Sequence, residues 1–371
     1  MGQSLTEIAQ SLKDSGKKVQ LIYAFNGTGK TRLSREFRLL VAPKYIEAEE
    51  EIDENTGIKV LYYNAFTEDL FYWDNDLDAD INRKLTIRGN GFTNLVLKFL
   101  QDQGLDGNIT SNFQHFTNQF LTPKFSPDFS EVTFSIERGD DETLDNIKIS
   151  KGEESNFIWC MFYTLLEQVV EVLNVPEPVD RTTNQFDNLK YVYIDDPVSS
   201  LDDNHLIELA VNLAELIKRS SNLKFVISTH NPLFYNVLYN ELASKVCYMF
   251  NKLEDGTFEL IEKLGDSNKS FSYHLFLKHT IDEAINTNNI QKYHFTLLRN
   301  LYEKTANFLG YPRWSELLPD DKQTYYNRII QFTSHSTLSN EVVPEPTESE
   351  KQTVKFLLDH LTTNFKYWKE V

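Results

Sequence analysis

The fold is decided by the stretch KKVQLIYAFNGTGKTRLSREFRLLVA (17–42). Its first nine residues, KKVQLIYAF, contain the apolar run of a buried strand, and the spacing of apolar residues in RLSREFRLLVA predicts a helix. Between them, NGTGKT supplies the glycines that let backbone N–H groups face an anion at a helix N-terminus. The sequence therefore predicts a phosphate-binding loop that joins a strand to a helix.

Each position of this loop has a predicted task in binding a nucleoside triphosphate. Lys30 reaches the β- and γ-phosphates, and the hydroxyl of Thr31 binds Mg²⁺. Ala24 stands where the GxxxxGK[ST] pattern has its first glycine, which is a departure from that pattern. The predicted phosphate-binding residues are Asn26, Gly27, Thr28, Gly29, Lys30 and Thr31.

Three more apolar strands follow along the chain. They are KVLYYNAF (59–66), KYVYIDD (190–196) and LKFVIST (223–229), and a helical pattern over 202–220 separates the last two. Alternation of strands and helices is typical of an α/β domain with a mostly parallel sheet.

Polar residues suited to nucleotide hydrolysis follow these strands. Asp195 is placed to hold Mg²⁺ through water, and Asp196 occupies the position of the general base that orients the attacking water. His230 resembles the switch histidine with which ABC-type ATPases sense the γ-phosphate. Asn64 is the nearest substitute for the Q-loop glutamine of those enzymes.

Two further motifs extend the resemblance to ABC-type ATPases. PVSSLD (197–202) resembles their D-loop, and ISKGE (149–153) resembles their LSGGQ signature. Lys151 replaces a glycine, Glu153 a glutamine and Asp196 the usual glutamate. Because the shorter carboxylate of Asp196 can reposition the attacking water, slow turnover is expected. In ABC ATPases the signature of one subunit completes the phosphate site of another, and the resemblance therefore implies a head-to-tail homodimer or higher oligomer. The predicted signature residues are Ser150, Lys151, Gly152 and Glu153, and the predicted D-loop residues are Ser200 and Asp202.

Composition excludes several other classes of protein. The 371 residues include 37 Lys+Arg and 55 Asp+Glu, and the net charge of −18 argues against non-specific coating of nucleic acid or anionic membrane. Two cysteines in apolar surroundings, Cys160 and Cys247, predict buried thiols and no disulfide framework. The N-terminus lacks a signal-peptide pattern, and no apolar run approaches the roughly 18 residues that span a bilayer. We therefore expect a soluble, cytoplasmic protein with no membrane partner.

The chain changes character near residue 263. The strand patterns stop there, and helical patterns continue to the end. Residues 264–371 hold 12 Lys+Arg and 13 Asp+Glu, whereas 1–263 hold 25 and 42, so the acidic charge is concentrated in the first part. The sequence predicts a nucleotide-binding and hydrolysing domain over 1–263 and a helical domain over 264–371.

The helical domain contains three residues with a possible joint chemistry. Arg299 and Glu303 lie four residues apart on one helix, and His335 lies in the polar loop FTSHSTLSN. On spacing alone they are a surface ion pair and an ordinary loop histidine. Together they supply a base, an acid and a cation, which are the groups that cleavage of RNA by its own 2′-hydroxyl needs without metal.

Motifs along the whole chain resemble those of the PrrC-type bacterial anticodon nucleases, which are ABC-ATPase-fused tRNA ribonucleases. The resemblance implies an α/β ABC-type P-loop ATPase domain followed by a smaller, mainly α-helical nuclease domain. It also implies an endoribonuclease that cuts lysine tRNA beside the wobble base and leaves 2′,3′-cyclic phosphate and 5′-hydroxyl ends. Arg299, Glu303 and His335 match the family's catalytic residues, although chemistry does not fix which of Glu303 and His335 is base or acid. The matching motifs are YAFNGTGKTRLS, YYNAFTEDLFYWDND, SKGEESNFIW, IDDPVSSLDDNHLIELAVNLA, GDSNKSFSYH, RNLYE and FTSHSTLS.

The resemblance further implies ligands and partners. Residues 265–271 correspond to a family segment implicated in reading the anticodon, although on chemistry alone this stretch is an interdomain turn. The family is silenced by a type I restriction-modification complex and acts in defence against phage. Its ATPase domain uses GTP or ATP with Mg²⁺, dTTP stabilises the active form, and no metal is expected at the nuclease site. The predicted tRNA-recognition residues are Asp266, Ser267, Asn268 and Lys269.

Three alternatives remain open from the residues. One is a RecF/SMC-like DNA-repair ATPase whose C-terminal domain is only a binding module, although the roughly 120 residues between the phosphate loop and the signature lack sustained heptads. Another is a partner-recruiting ATPase in which Arg299 and Glu303 form a mere surface pair. A transporter ATPase subunit is a third.

Overall fold

The chain folds as two compact units, Met1–Lys263 and Leu264–Val371. Each unit has its own hydrophobic core. The computed structural model describes residues 2–43, 58–76, 78–79, 81–89, 91–137, 143–197, 203–243, 245–253, 255–263, 273–333 and 346–367.

The first unit mixes helices and strands. Its helices are α1 (Leu5–Asp14), α2 (Lys30–Val41), α3 (Ala65–Glu68), α4 (Gly91–Asp102), α5 (Asp106–Phe116), α6 (Lys151–Asn174), α7 (Asp203–Arg219) and α8 (Pro232–Glu241), with a 3-10 turn at Pro178–Asp180. Its strands are β1 (Val19–Tyr23), β2 (Val60–Tyr63), β3 (Phe71–Asp74), β4 (Lys84–Ile87), β5 (Leu121–Phe125), β6 (Glu131–Glu137), β7 (Thr143–Leu144), β8 (Tyr191–Asp195), β9 (Lys224–Thr229), β10 (Lys245–Lys252) and β11 (Phe258–Lys263).

Six strands form a mostly parallel sheet in the order β11-β10-β1-β9-β8-β2. Strands β10, β1, β9, β8 and β2 run parallel, and β11 pairs antiparallel to β10. Strands β1 and β8 are buried along their whole length, as expected of parallel strands that are covered on both faces. The predicted α/β fold is confirmed, and the carboxyl ends of β1, β8 and β9 lie side by side.

A second, antiparallel sheet has the order β3-β4-β6-β5, with β7 paired to β6. Helix α6 packs against it through Phe157, whose ring lies 5.1 Å from that of Phe134 on β6 and 5.4 Å from that of Phe113 on α5. This sheet therefore supports the helix that begins directly after the signature serine.

Helix α6 has the length and composition to cross a membrane, contrary to the sequence-based expectation for apolar runs. However, 83% of its most apolar stretch is buried inside the protein, as in the core helix of a soluble protein. Cys160 on this helix and Cys247 on β10 are both buried free thiols, as predicted.

The second unit is helical among its described residues, which confirms the predicted class. Its helices are α9 (Tyr273–Asn286), α10 (Lys292–Leu309), α11 (Lys322–Thr333) and α12 (Glu348–Asn364), with a 3-10 turn at Trp314–Leu317. Helix α10 buries Leu298, Leu301 and Tyr302, and the Tyr302 hydroxyl donates to the carbonyl of Leu357 on α12. It ends at Gly310, whose left-handed backbone (φ 77°) favours glycine.

Candidate functional site

The predicted phosphate loop lies between β1 and α2, as the sequence indicated. Gly27 (φ 79°) and Gly29 (φ 109°) adopt the left-handed conformations that favour glycine, and Gly29 directly precedes α2. A β-carbon at Gly29 would also touch the ring of Phe258, at 3.4 Å. The loop therefore combines glycine-dependent geometry with a helix N-terminus, which is the arrangement that binds phosphate.

Lys30 folds back into this loop and is only 5% exposed. Its ammonium donates to the carbonyl oxygens of Ala24 (3.3 Å) and Phe25 (3.2 Å). It also forms an ion pair with the Asp196 carboxylate at 3.0 Å. The cation expected to meet the phosphates is therefore paired with the residue expected to act as general base.

Asp195 ends β8 and is 2% exposed. Its carboxylate accepts hydrogen bonds from the hydroxyls of Thr31 (2.7 Å) and Ser228 (2.6 Å). Burial and the nearby charge of Asp196 raise the pKa of Asp195 to about 6, against the effect of these two hydrogen bonds. Carboxylate and hydroxyl oxygens are ligands that Mg²⁺ prefers, so Thr31 and Asp195 fit a nucleotide-bound Mg²⁺.

Asp196 adopts a left-handed backbone conformation, with φ 48°, which is uncommon for a residue with a side chain. Its carboxylate accepts a bond from the backbone N–H of His230 (2.7 Å) and lies 2.8 Å from His230 Nδ1. Burial alone would raise the pKa of Asp196, but the His230 hydrogen bond and the Lys30 charge hold it below its ordinary value. The group is thus kept ionised beside the phosphate loop.

The predicted signature residues begin α6. Ser150 is the N-cap, and its hydroxyl accepts from the Glu153 N–H while the Glu153 carboxylate accepts from the Ser150 N–H. Lys151 is 78% exposed and pairs with Glu154, which is 3% exposed. Gly152 lies in the same first turn. The replacements of the family's glycine and glutamine therefore both make bonds within the turn.

Arg299 and Glu303 form the ion pair that their spacing on α10 predicts. Arg299 Nε donates to Glu303 Oε1 at 2.8 Å, and the side chains are 33% and 34% exposed. Solvent can reach both groups, and so can a ligand on that face of the helix. The geometry is compatible with an acid–base and phosphate-binding pair and with a surface ion pair.

Several predicted residues lie outside the described part of the chain. They are the catalytic candidate His335, the D-loop residues Ser200 and Asp202, and the tRNA-recognition candidates Asp266, Ser267, Asn268 and Lys269.

Sequence reasoning assigned no role to Ser228 or Glu154, and it marked the aromatic run 66–73, which ends at Trp73, only as a candidate regulatory surface. Ser228 interrupts the otherwise apolar run of β9 one residue before its end, and that position is the signal that could have marked it. Trp73 Nε1 donates to Glu154 at 2.8 Å across 81 residues of sequence, and no local pattern predicts such a contact.

A family model and a known protein both match stretches of the chain that include residues of both units. A family model described as an AAA domain, AAA_13, matches residues 109–360. The Escherichia coli protein named "Anticodon nuclease" is 63% identical over an alignment of 391 residues, which covers 100% of this chain and 99% of that protein.

Solved structures are far less similar. An SMC head bound to the C-terminal winged-helix domain of ScpA is 12% identical, covers 69% of this chain and 92% of its own, and has a TM-score of 0.33. A structure named RNase-L Inhibitor is 13% identical, with coverages of 71% and 37% and a TM-score of 0.33. These two likenesses are too weak to carry an argument.

Proposed function

The chain belongs to the PrrC-type anticodon nucleases and carries an AAA-type ATPase domain, and from this premise we propose that it is an NTP-regulated endoribonuclease that cleaves tRNA. The substrate is lysine tRNA, cut in the anticodon loop beside the wobble base. The products carry 2′,3′-cyclic phosphate and 5′-hydroxyl ends. The observation that carries the proposal is the 63% identity along the whole chain to a protein named for this activity.

Cleavage is assigned to Arg299, Glu303 and His335. One of Glu303 and His335 takes the proton of the 2′-hydroxyl, whose oxygen then bonds to phosphorus. The bond from phosphorus to the 5′-oxygen breaks, and the other residue protonates that oxygen. Arg299 stabilises the added negative charge on the phosphate. The ion pair on α10, with both side chains about one-third exposed, supports this assignment because the two groups are held together where RNA can reach them.

The ATPase unit (1–263) acts as a switch for the nuclease and tRNA-recognition unit (264–371). Nucleotide (GTP or ATP, with dTTP as a stabilising ligand) binds at residues 26–31, with Mg²⁺ held by Thr31 and Asp195. The signature of a second copy completes the site, so the active form is a homodimer or higher oligomer. Support comes from the convergence of Lys30, Asp196 and His230 at one end of the sheet.

The biological setting follows from the family. We place the protein in the cytoplasm as a phage-defence effector that a type I restriction-modification complex silences. Its tRNA contacts include residues 266–269, and its nuclease site works without metal.

The test is cleavage of total bacterial tRNA by the full chain with GTP and Mg²⁺, with EDTA added to half of the samples after activation. Wild type should make one anticodon-loop cut with a cyclic phosphate end, unaffected by EDTA, and His335→Ala should make none. Hydrolysis of GTP that DNA stimulates, without any RNA cleavage, would instead favour a RecF/SMC-like repair ATPase. Persistent cleavage by His335→Ala would overturn the proposed catalytic set.

A further inference from the structure

Residues 62–73, from the end of β2 into β3, touch both halves of the proposed nucleotide machinery of one ATPase unit. We call this stretch the bridging segment. Its first residues contact the helix that follows the phosphate loop, and its last residue contacts the first turn of the signature helix α6. Three polar contacts, one buried and two half-buried, make up the connection.

The first contact is with α2. Ser34 lies one turn after Thr31 and bonds to its carbonyl at 2.9 Å. The Asn64 amide donates to the Ser34 hydroxyl at 3.2 Å, and the Tyr62 hydroxyl lies 3.2 Å from the same oxygen. Ser34 and Asn64 are fully buried. The Asn64 side chain is thus fixed in the core beside the phosphate-loop helix.

The second contact reaches α6 through Glu68. Its carboxylate accepts from the Tyr63 hydroxyl at 2.8 Å and from the Ser155 hydroxyl at 3.3 Å. The Tyr63 ring packs edge-on against Trp159 of α6, with centroids 5.1 Å apart. Tyr63 adjoins Asn64 in sequence, so neighbouring residues of one stretch of backbone contact α6 and α2.

The third contact reaches the signature itself. Glu154 is 3% exposed, and burying a carboxylate is costly unless it is paired and hydrogen-bonded. Trp73 Nε1 donates to one of its oxygens at 2.8 Å, and the Lys151 ammonium approaches the other at 2.5 Å. Lys151 is the residue that replaces a signature glycine, and Glu154 ties it to the protein interior.

We infer that Trp73 and Glu154 are positioning residues, which hold Lys151 and the first turn of α6 in the orientation that meets the nucleotide of a second copy. The bridging segment then links that orientation to the phosphate-loop helix of the same unit. Glu154 provides the buried anion and Trp73 its matching donor. This inference rests on the proposed nucleotide-bridged dimer.

The experiment uses the full chain with Trp73→Phe, Glu154→Gln and the control Tyr72→Phe. Tyr72 is the neighbour of Trp73 on β3 and is 47% exposed. Binding of a fluorescent GTP analogue at low protein concentration reports the phosphate loop alone. The dependence of GTP hydrolysis on protein concentration reports the dimer. Melting temperatures confirm that each variant folds.

We expect Trp73→Phe and Glu154→Gln to bind the analogue as wild type does. Both should need at least about 10-fold more protein for half-maximal hydrolysis, because Trp73→Phe removes a hydrogen bond to a buried charge and Glu154→Gln removes that charge. Tyr72→Phe should match wild type. Wild-type specific activity that stays constant down to concentrations at which the protein is monomeric would overturn the proposed dimer. A concentration-dependent wild type with unchanged variants would overturn the inference alone.

A double-mutant cycle separates positioning from loss of stability. Lys151→Ala changes an exposed side chain, so it should fold and reproduce the defect of Glu154→Gln. Combined, the two changes should add little to either one, since they break the same contact. Fully additive defects would mean that Glu154 acts only on stability, and the inference would fail.

Discussion

The nucleotide site and the Arg299–Glu303 pair are built in opposite ways. Lys30 is 5% exposed and bonds to two carbonyl oxygens and the Asp196 carboxylate, whereas Arg299 is 33% exposed. Asp195 is 2% exposed and accepts two hydroxyl bonds, whereas Glu303 is 34% exposed. The first site is part of a core, and the second lies on a helix face.

Because of this difference, substitutions at the two sites should affect stability and activity to different extents. Charges in a buried site depend on their neighbours, and removing one leaves another without compensation. An exposed pair four residues apart on a helix contributes only about 0.3–0.5 kcal/mol to stability. Any larger contribution of the pair must come from what it does to a ligand. Stability and activity measured on the same variants therefore test the two descriptions.

The largest effect is expected from Glu303→Gln. Loss of an acid or base should lower the tRNA cleavage rate roughly 100- to 10,000-fold. The free energy of unfolding should fall by less than about 0.5 kcal/mol. Cleavage assays and urea titrations measure the two quantities.

A matched control is Glu348→Gln, which breaks another exposed helical pair, Glu348–Lys351 (2.7 Å), in the same unit. It should leave cleavage unchanged. If Glu303→Gln cleaves tRNA as fast as Glu348→Gln does, the Arg299–Glu303 pair is only a surface ion pair.

Lys30→Ala should lower the free energy of unfolding much more than Arg299→Ala does. Removing Lys30 leaves Asp196 without the Lys30 cation, at a cost on the order of 3 kcal/mol in unfolding free energy. Removing Arg299 should cost less, because its side chain is 33% exposed. Urea titration of both variants measures the contrast. Similar losses would contradict the description of one site as core and the other as surface.

Asp196→Asn tests whether the Asp196 carboxylate competes with phosphate for Lys30. The variant keeps the shape of the side chain but removes the charge that competes with phosphate for Lys30. Affinity for a non-hydrolysable nucleotide should rise roughly 10-fold, which corresponds to about 1.4 kcal/mol, while hydrolysis falls because the proposed base is lost. Equilibrium binding and phosphate release measure the two effects.

Asp187→Asn provides the control for that variant. Asp187 is 31% exposed and pairs with Arg181 at 2.6 Å, so its environment resembles that of Asp196, which is 24% exposed. The substitution should leave nucleotide affinity unchanged. A similar gain in both variants would attribute the effect to net charge and not to the Lys30 contact.

The sequence indicated which residues would lie together at the ends of parallel strands, and their roles in binding and hydrolysing nucleotide stay predictions. Lys30, Asp195 and His230 each follow a recognisable apolar run, and parallel pairing brings such ends together. The left-handed backbone of Asp196 was not predictable, since tertiary bonds to His230 and Lys30 hold it.

Contacts between distant segments were the part that sequence could not give. Trp73 meets Glu154 because the second sheet pairs antiparallel and packs on α6, and that register has no local signature. On α10 the Arg299–Glu303 contact was predictable because four residues make one helical turn. The relation of this pair to His335 depends on the chain between α11 and α12, so it stays a prediction.

The smallest expected effect concerns Glu68, a half-buried carboxyl that accepts hydrogen bonds from the hydroxyls of Tyr63 and Ser155. Burial raises the pKa of Glu68, although hydrogen bonds from Tyr63 and Ser155 oppose the shift. With a raised pKa, the folded state binds more protons than the unfolded state just above the ordinary glutamate pKa of about 4.3. Stability therefore falls as pH rises through that window. In Glu68→Gln this contribution is absent, so the free energy of unfolding of the variant relative to wild type should rise with pH. Urea titrations across the window measure this difference. Tyr63→Phe removes a bond that lowers this pKa and should steepen the decline, whereas parallel curves for Glu68→Gln and wild type would show that Glu68 is not held in a raised-pKa environment.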